Sequence, residues 1–316
     1  MSRRAVVTGG AGFIGSHVGD ALLNHGYEVL ALDDLSTGRE RNLPAAADFE
    51  RLDIVDQERL AGVFSSFRPD VVCHLAAQSS VTVSVREPRR DLAVNVEGTL
   101  NVCEASRAVR AHVVFASTGG ALYGDRAAVP TREEATPEPL APYGASKLSG
   151  EAYVATWGRL HGLPNVVLRL GNVYGPRQDA HGEAGVVAIF SDRLLAGEPP
   201  TVFGDGTQTR DYVHVRDVAS AFVLTAEARR AGSYNVGTEV ESSVLELLEL
   251  LERAAGISLE PRFEPLRPGE LTRSALDASR LRQDVGWEAG TSLDAGLRDT
   301  FAWYAQSQAT ATPEVA

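Results

Sequence analysis

The first half of the chain alternates short apolar runs with stretches whose apolar residues recur at helical spacing. The apolar runs predict strands, and the stretches between them, such as residues 54–67 and 94–109, predict helices. Strands that alternate with helices are typical of βαβ units, so we predict an α/β fold built on a doubly wound parallel sheet. The predicted strands cover residues 5–7, 28–32, 71–75, 113–116 and 166–168.

After Asn172 the pattern changes to Gly- and Pro-rich loops, shorter helices such as residues 186–196, and a late amphipathic helix at residues 243–255. We therefore predict two domains. Residues 1–171 carry the sheet, and residues 172–316 form a smaller C-terminal α/β lobe with some segments that pack back on the first domain. The last residues, 306–316, are rich in Ala, Thr and Ser, which predicts a loose tail.

Composition narrows the class of protein. With 316 residues, of which 44% are hydrophobic and 23% charged, the chain is typical of a soluble globular protein, and it has no apolar run long enough to span a bilayer. A net charge of −12 opposes binding to a nucleic-acid backbone. Cys73 and Cys103 lie in apolar segments, which predicts reduced core residues, and no His or Cys spacing is typical of a metal site. The chain begins without a signal-peptide pattern, so we expect a cytoplasmic protein without metal, membrane or nucleic-acid partners.

A glycine-rich segment, Thr8-Gly9-Gly10-Ala11-Gly12-Phe13-Ile14-Gly15, follows the first predicted strand and opens an amphipathic helix. In this context Gly9 permits a tight turn, Gly12 lets the backbone approach a pyrophosphate, and Gly15 allows close helix packing. The helix N-terminus supplies N–H donors and a partial positive charge for that pyrophosphate. Asp33 ends the second predicted strand, where its carboxylate can accept hydrogen bonds from an adenosine ribose. The combination predicts a Rossmann-type dinucleotide site in the first domain.

The charges around this site favour NAD over NADP. Carboxylates at Asp33 and Asp34 would repel a 2′-phosphate, and the nearest arginine, Arg39, lies several residues further on. Asp34 can equally be a solvated turn residue. Asp53 follows the third strand, where it can meet the adenine edge or cap the N-terminus of the next helix.

A phenol and an ammonium lie four residues apart in Tyr143-Gly144-Ala145-Ser146-Lys147, so on a helix both project from one face. The charge of Lys147 would favour the phenolate and adapt Tyr143 for use as a general base, while Lys147 would also hold the nicotinamide ribose. By itself this spacing is typical of a solvated helix face, but downstream of a dinucleotide site it indicates catalysis. Ser117 and Thr118 follow another predicted strand, and either hydroxyl can relay a proton unless the pair only closes the strand as a turn.

These residues together resemble the extended short-chain dehydrogenase/reductase family, and most closely its bacterial UDP-glucose 4-epimerases. The similarity extends over nearly the whole chain. The segments that carry it are residues 8–15, 33–38, 74–78, 117–123, 143–147, 172–177, 203–206, 209–213, 234–237 and 267–270, together with Asn95.

The resemblance implies a role for each matching position. Besides the residues named above, it implies that the cofactor NAD contacts Phe13, Ile14, Ser36, Thr37, Gly38, Asp53, Ile54, Leu75, Ala76, Ala77, Gln78 and Asn95. It implies that a nucleotide-diphosphate sugar contacts Val81, Thr118, Gly119, Tyr143, Asn172, Val187, Thr201, Phe203, Arg210, Arg267, Glu270 and Ser274. Within this set Val187 and Phe203 would flank the base, and Glu270 would bind the nucleotide ribose. The paired arginines, Arg210 and Arg267, would grip the diphosphate, since a guanidinium offers a planar fork of donors to phosphate oxygens.

The residues after Thr118 argue for one reaction within the family. Sugar-nucleotide 4,6-dehydratases carry an Asp-Glu pair there, whereas this chain has Gly119-Gly120. We therefore expect an NAD-dependent isomerase that oxidises C4, lets the 4-keto sugar rotate and returns the hydride to its other face. UDP-glucose and UDP-galactose are the expected pair, which would place the protein in galactose metabolism.

Several alternatives stay open. The small side chain of Ser274 leaves room for N-acetylhexosamines, and Thr82 stands where several relatives carry the Arg associated with glucuronate, which makes a glucuronate substrate less favoured. A dTDP-hexose substrate, a dehydratase or reductase, and a non-catalytic NAD sensor are the remaining interpretations. The resemblance also implies a homodimer formed by two helices of each subunit, residues 91–107 and 143–161.

Overall fold

The computed structural model describes residues 3–180, 185–266 and 271–311 of the chain. The strands are β1 Arg3–Thr8, β2 Tyr27–Asp33, β3 Asp48–Arg51, β4 Val71–His74, β5 His112–Thr118, β6 Val166–Leu170, β7 Asn172–Tyr174, β8 Thr201–Phe203, β9 Thr209–Arg210, β10 Tyr212–His214, β11 Gly232–Val236, β12 Ser242–Ser243 and β13 Arg262–Glu264. The α-helices are α1 Phe13–Asn24, α2 Gln57–Phe67, α3 Val81–Arg86, α4 Pro88–Leu92, α5 Gly98–Val109, α6 Pro142–His161, α7 Val186–Leu195, α8 Val215–Ala228, α9 Val244–Ala255, α10 Ser279–Val285 and α11 Leu293–Ala311. A 3-10 turn covers Glu40–Asn42, and a π-helical turn at Ala93–Glu97 joins α4 to α5.

Seven parallel strands form the central sheet in the order β11-β6-β5-β4-β1-β2-β3. The chain winds outward from β1 through β2 to β3, and then returns to β4 and winds the other way. This arrangement confirms the predicted fold class, a doubly wound α/β sheet. The direction of winding changes between β1 and β4, and the carboxyl ends at such a switch point form a crevice in which ligands bind.

Helices cover both faces of this sheet. Its strands are therefore buried on two sides, which is why they consist of continuous apolar runs. One core lies under α1 and α8, where Leu22 and Phe222 are fully buried. The other lies under α2, α5 and α6, where Phe64 and Phe115 are fully buried. The sheet is therefore a rigid base on which the loops at its carboxyl ends are held.

A third apolar cluster holds the C-terminal lobe together and consists of residues from α7, α9, α11 and the short strands around them. Helix α9 illustrates why this segment folds locally. Ser243 caps its N-terminus by accepting a hydrogen bond from the Glu246 N–H, the Glu246 carboxylate accepts one from the Ser243 N–H, and Gly256 ends the helix in the left-handed region. The lobe also sends β11 back into the large sheet beside β6.

The five predicted strands are all present, and most of the predicted helices match. Residues 54–56 precede α2 rather than forming its first turn, since Asp56 accepts a hydrogen bond from the Arg59 N–H and caps the helix. The prediction of a loose tail is wrong for residues 306–311, because α11 continues to Ala311. Across the described ranges, no helix is both long and apolar enough to cross a bilayer.

Candidate active site

The glycine turn, residues 8–15, lies at the carboxyl end of β1 and leads into α1. Gly9 has a φ of +70°, and a Cβ there would lie 2.8 Å from the Ala76 backbone nitrogen. A Cβ on Gly15 would lie 2.0 Å from the Gly9 carbonyl oxygen. Both positions therefore exclude a side chain on steric grounds, as the tight turn and the close helix packing predicted from the sequence require.

Helix α1 presents an open N-terminus at this turn. Its N-cap is Gly12, no side chain caps the helix, and its first turn contains no acidic residue. The N–H groups at the start of a helix have no partner within the helix, so those of Phe13, Ile14 and Gly15 can bind a pyrophosphate.

Asp33 ends β2 beside the glycine turn. Its carboxylate accepts hydrogen bonds from the Ala11 N–H (3.0 Å) and the Leu35 N–H (2.9 Å), and burial raises its pKa. Gly38 approaches so closely that a Cβ there would lie 2.6 Å from the Asp33 Oδ1. Asp33 thus joins the glycine turn to the loop after β2, and its remaining lone pairs lie where a ribose hydroxyl is expected.

The neighbouring acids have local partners. The Asp34 carboxylate accepts hydrogen bonds from the Ser36 N–H and hydroxyl, which is the turn role left open by the sequence, and Thr37 beside it is exposed. Asp53 is exposed and accepts from the Val55 N–H. It does not cap α2, because Asp56 does so; the alternative of an N-cap role for Asp53 is therefore wrong. The next residue, Ile54, is buried against α5.

The segment 75–78 continues from β4 and faces the glycine turn across the switch point. The Thr8 hydroxyl accepts hydrogen bonds from the N–H groups of Leu75 and Ala76, both at 3.2 Å, and it also contacts the buried His74 ring at 2.7 Å. Farther along, past Ala77, the Gln78 N–H donates to the Asn95 Oδ1 at 2.8 Å. The structure thus brings the predicted residues 75–78 and Asn95 together beside the dinucleotide turn.

Tyr143 and Lys147 lie one turn apart at the start of α6, next to the carboxyl end of β5. Lys147 is 3% exposed, its ammonium donates to the Ala116 carbonyl at 2.9 Å, and it lies 4.7 Å from the centre of the Phe115 ring. It is also the only lysine in the sequence. Tyr143 is partly exposed, and the Thr118 side chain lies close enough to its phenol to lower its pKa slightly.

The pKa of the Tyr143 phenol changes in the direction opposite to the one expected from the sequence. Burial, reinforced by the Asp91 carboxylate, raises the pKa of Tyr143 to about 12, and the nearby Thr118 side chain only partly opposes this rise. Burial also lowers the pKa of Lys147 to about 8. The expectation that Lys147 makes the phenol acidic is therefore wrong for the protein's own groups, since low polarity around both side chains disfavours both charges.

The structure separates the two hydroxyls that the sequence left equivalent. The Ser117 hydroxyl donates to the Glu151 carboxylate at 2.5 Å. This contact is buried between β5 and α6. Glu151 is itself held by a bidentate ion pair with Arg169, with a shortest contact of 2.7 Å. Thr118, which contacts Tyr143, is therefore the hydroxyl that lies in the candidate active site.

The turn after Thr118 is closely packed. A Cβ on Gly119 would lie 2.4 Å from the Leu276 Cδ1, so the leucine occupies the space that a side chain would need. On the other side, a Cβ on Gly120 would lie 3.5 Å from the Asn172 Oδ1. The amide of Asn172 thus lies beside the turn after Thr118; its predicted contact with the substrate stays a prediction.

Most of the remaining predicted substrate positions lie in the C-terminal lobe, and Val81 lies at the start of α3. Arg210 lies on β9, where its guanidinium donates to the Thr209 carbonyl, and Ser274 is buried beside the same strand with its N–H bonded to that carbonyl. Thr201 and Phe203 are partly exposed on β8, and Val81 is 44% exposed at the start of α3. Val187 faces the apolar core of the lobe and is 1% exposed. Arg267 and Glu270 lie outside the described residues.

Sequence reasoning missed three residues that shape the site. Glu151 lies four residues after Lys147, and Asp91 lies four residues before Asn95, so each shares a helical face with a predicted residue. That spacing was the available signal. Leu276 left no local signal, because its contact with Gly119 joins positions far apart in the sequence.

The residues present fit NAD. The open helix terminus, the two glycines that exclude side chains and the carboxylate of Asp33 match the pyrophosphate and the adenosine ribose. Residues 75–78 and the pair Tyr143–Lys147 line the same crevice further along, where the nicotinamide end would extend.

Comparison with known proteins agrees with this geometry. The model of the NAD dependent epimerase/dehydratase family matches residues 5–237. A UDP-glucose 4-epimerase of Mycolicibacterium smegmatis is 46% identical over 308 residues, which cover 95% of this chain and 98% of that protein. The crystal structure of a UDP-glucose 4-epimerase from Thermotoga maritima, solved with UDP-glucose, has a TM-score of 0.93 at 44% identity and covers 96% of this chain and 99% of its own. The crystal structure of a Thermus thermophilus UDP-glucose 4-epimerase in complex with NAD has a TM-score of 0.89 at 45% identity, with the same coverage of 96% and 99%. The chain therefore belongs to the NAD dependent epimerase/dehydratase family, whose cofactor is NAD.

Proposed function

We propose that this protein is an isomerase that interconverts UDP-glucose and UDP-galactose by inverting the configuration at C4. The observation that carries the proposal is the position of Tyr143 one helical turn before the buried Lys147, whose ammonium is bonded to the end of β5 next to Thr118, at the end of the crevice that fits NAD. This arrangement supplies a proton acceptor and a relay where the sugar would meet the cofactor.

Tyr143 takes the proton of the C4 hydroxyl, and Thr118 relays it between the sugar and the phenol. NAD, when bound, would supply an acceptor for the hydrogen and electron pair that leave C4, together with a positive charge in the crevice. Because burial raises the pKa of Tyr143 to about 12 in the protein alone, the phenol would need such an added positive charge to act as a base. Lys147 would hold the nicotinamide ribose.

The packing of Gly119 argues against a dehydratase. Elimination of water from C5 and C6 needs an added acid and base near the sugar. Leu276 fills the space next to Gly119, so a carboxylate side chain after Thr118 would collide with it. The turn therefore offers only the chemistry of Tyr143 and Thr118, which suffices for oxidation and reduction at a single carbon.

The substrate would be held mainly through its nucleotide and diphosphate, since the sugar must turn over between the two half-reactions. We assign the diphosphate to Arg210 and Arg267, the nucleotide ribose to Glu270 and the sugar to Asn172. Phe203 and Thr201 would contact the base. We propose Val187 only as support for that surface, given its burial in the core of the lobe.

Ser274 makes UDP-N-acetylglucosamine a second candidate substrate. Its small side chain is buried beside β9 and would leave room for the acetamido group at C2. We expect Ser274→Tyr to abolish turnover of the N-acetyl substrate and to keep turnover of UDP-glucose. Equal activity of both forms on UDP-N-acetylglucosamine, or activity in neither, would count against this role. dTDP-hexoses should be tested as substrates in the same assay.

The proposed function is tested by adding UDP-glucose to the purified protein without cofactor and following the sugar by proton NMR. We expect UDP-galactose to form, because NAD stays bound through the cycle. With C4-deuterated UDP-glucose the label should stay at C4. Accumulation of a 6-deoxy-4-keto sugar would indicate a dehydratase instead, and binding of NAD without any turnover would indicate a sensor.

We also propose a homodimer formed by residues 91–107 and 143–161 of each subunit. Leu92 and Leu160 on these segments are 58% and 67% exposed, and Tyr153 and the nearby Val85 are exposed as well. These apolar side chains are available to pack against a second copy of the chain. Light scattering tests this: the protein should have twice the mass of the chain, and Leu160→Glu should reduce it to one chain.

We also propose what each of the two parts of the chain binds and where in the cell the protein is located. Residues 1–171 would mainly hold NAD and residues 172–316 mainly the nucleotide sugar, with β11 as the segment that packs back. The buried thiols of Cys73 and Cys103 are unpaired, as is usual for a reducing compartment, so we propose the cytoplasm and a place in galactose metabolism.

A further inference from the structure

Asp91 is a buried carboxylate on an otherwise exposed stretch of helix. It is 1% exposed, whereas the residues around it on α4, Pro88, Arg89, Arg90 and Leu92, are partly or fully exposed. A carboxylate is expensive to bury without partners, so its place in the fold calls for a specific function.

The partners of Asp91 are amides that belong to the candidate active site. Its Oδ1 accepts hydrogen bonds from the Gln78 Nε2 (2.8 Å) and the Asn95 Nδ2 (3.1 Å). The same Asn95 amide donates to the Ser146 hydroxyl at 3.0 Å, and Ser146 donates to the Tyr143 carbonyl at 3.0 Å. A continuous chain of hydrogen bonds thus leads from Asp91 to the backbone of the catalytic tyrosine.

Amides leave the charge of Asp91 unbalanced, and the nearby cation is Lys147. Two carboxylates act on Lys147, those of Asp91 and Glu151. Glu151 is already bound by the guanidinium of Arg169 in a bidentate pair. Asp91 is therefore the carboxylate whose charge is left to balance the ammonium of Lys147.

The other ionisable groups around this pair do not change that balance. His74 lies near Lys147 at the end of β4, but burial lowers its pKa to about 3 and keeps it neutral. On the segment of Asp91 itself, Arg86 and Arg90 lie at the surface and pair with Glu87. On α6, Tyr143, Lys147 and Glu151 are the groups that face inward.

We infer that Asp91 is a positioning residue of the proposed epimerase: through Asn95 and Ser146 its buried carboxylate fixes the start of the helix that carries Tyr143 and Lys147, and its negative charge favours the charged form of Lys147. The inference rests on the proposed function. Its two parts, the effect of the Asp91 charge and the effect of the Asp91 hydrogen bonds, can be separated by experiment. The charge acts on protonation, while the hydrogen bonds act on geometry.

The sign of the charge effect follows from the structure. A negative charge raises the pKa of both neighbours, the phenol of Tyr143 and the ammonium of Lys147. Its removal should therefore lower both values together. Asp91→Asn is the appropriate change, because the amide oxygen can still accept the bonds from Gln78 and Asn95.

The sequence offers a direct readout of this effect. Lys147 is the only lysine, so protein grown with ε-¹³C-labelled lysine gives a single side-chain signal whose shift reports protonation. In the purified protein with its NAD, Asp91→Asn should lower the pH of half-protonation by about 1 unit, the size of shift that a close charge produces. Glu97→Gln removes an exposed acid from the same helical stretch and should leave the titration unchanged.

Activity supplies the second readout. In Asp91→Asn, both limbs of the pH profile of kcat should move to lower pH by a similar amount, with KM for UDP-glucose little changed. Asp91→Ala should add a loss of kcat at every pH, because it also removes the hydrogen bonds. A purely structural role would lower kcat without moving either limb.

An unchanged lysine titration in Asp91→Asn would overturn the inference, whatever the activity. The NMR titration needs no turnover, so this result stays distinct from a failure of the proposed function, which would appear as wild-type protein that does not convert UDP-glucose. If Asp91→Asn is too unstable to titrate, Asp91→Ser supplies a second test, because the hydroxyl removes the charge but can still accept a hydrogen bond, and the half-protonation pH of Lys147 should again fall. A rise or no change there would equally overturn the inference.

Discussion

The close approach of Gly15 to Gly9 permits a quantitative test of the glycine turn. A Cβ on Gly15 would lie 2.0 Å from the Gly9 carbonyl oxygen and 2.8 Å from its carbonyl carbon. Ordinary contacts between such atoms are about 3.5 Å, so Gly15→Ala must separate α1 from the turn by more than about 1 Å. The Gly9 carbonyl cannot move away at low energetic cost, because its carbon and oxygen belong to the backbone of the turn.

Two effects of this displacement can be estimated. Overpacking of a closed site costs about 1–3 kcal/mol, and the better helix propensity of Ala returns about 1 kcal/mol, so the net loss of folding stability should be roughly 0–2 kcal/mol. Withdrawal of one N–H donor from the pyrophosphate should remove about 1.5–3 kcal/mol of binding, the usual value for a hydrogen bond to a charged group. This corresponds to NAD binding that is weaker by about 10- to 100-fold.

The assay measures NAD released from the purified protein on denaturation, its dissociation constant by calorimetry after reloading, and urea unfolding without NAD. Gly62→Ala is the matched control, because Gly62 also lies in a helix, α2, but a Cβ there meets nothing within 4 Å. The control should gain about 0.5–1 kcal/mol of stability and keep its NAD affinity. If Gly15→Ala behaved like Gly62→Ala in both assays, the steric account of the turn would be refuted.

Three further outcomes follow from the site. In the NMR assay, Thr118→Val should lower kcat by about 10²-fold or more, whereas Ser117→Ala should leave kcat near wild type. If Ser117→Ala had the larger effect, Ser117 and not Thr118 would be the proton relay. Glu151→Gln leaves its partner guanidinium buried without a counter-charge and should destabilise the protein by about 3–5 kcal/mol in urea unfolding, whereas a loss below about 1 kcal/mol would contradict the importance of the buried pair. Burial lowers the pKa of His74 to about 3 and of His112 to about 4, so the unfolded chain binds more protons below pH 6.5. Stability should therefore be full above that pH and fall by about 1.4 kcal/mol per pH unit for each histidine as the pH drops from 6.5 towards 4, which unfolding curves at pH 7.5, 6 and 5 would check.

The dinucleotide half of the site was accessible from sequence because its parts are local. A strand, a glycine turn and a helix follow one another within residues 3–24, so spacing alone specifies their geometry. The pair Tyr143 and Lys147 shares a turn of one helix, and the same reasoning applies. In both cases the distances are fixed by secondary structure, and the strand and helix periods can be read from the order of residues.

Distant contacts were not accessible in this way. The choice between Ser117 and Thr118 depends on Glu151, which contacts the end of β5 from the inward face of α6, 34 positions away in the sequence. The space after Thr118 depends on Leu276, which arrives from the C-terminal lobe. Neither contact has a sequence period, so only the folded chain places these residues together.

The amino-acid sequence by itself determined the doubly wound sheet, the glycine turn and the placement of Tyr143 and Lys147 on one helical face, because each of these depends on patterns that repeat over a few residues. The tertiary structure alone decided the electrostatics. Burial makes the phenol of Tyr143 less acidic rather than more acidic, and it puts the carboxylate of Asp91 within the influence of Lys147. Charges act through space and their strength depends on how much water the fold excludes, and neither the distance nor the exclusion is written in the order of the residues.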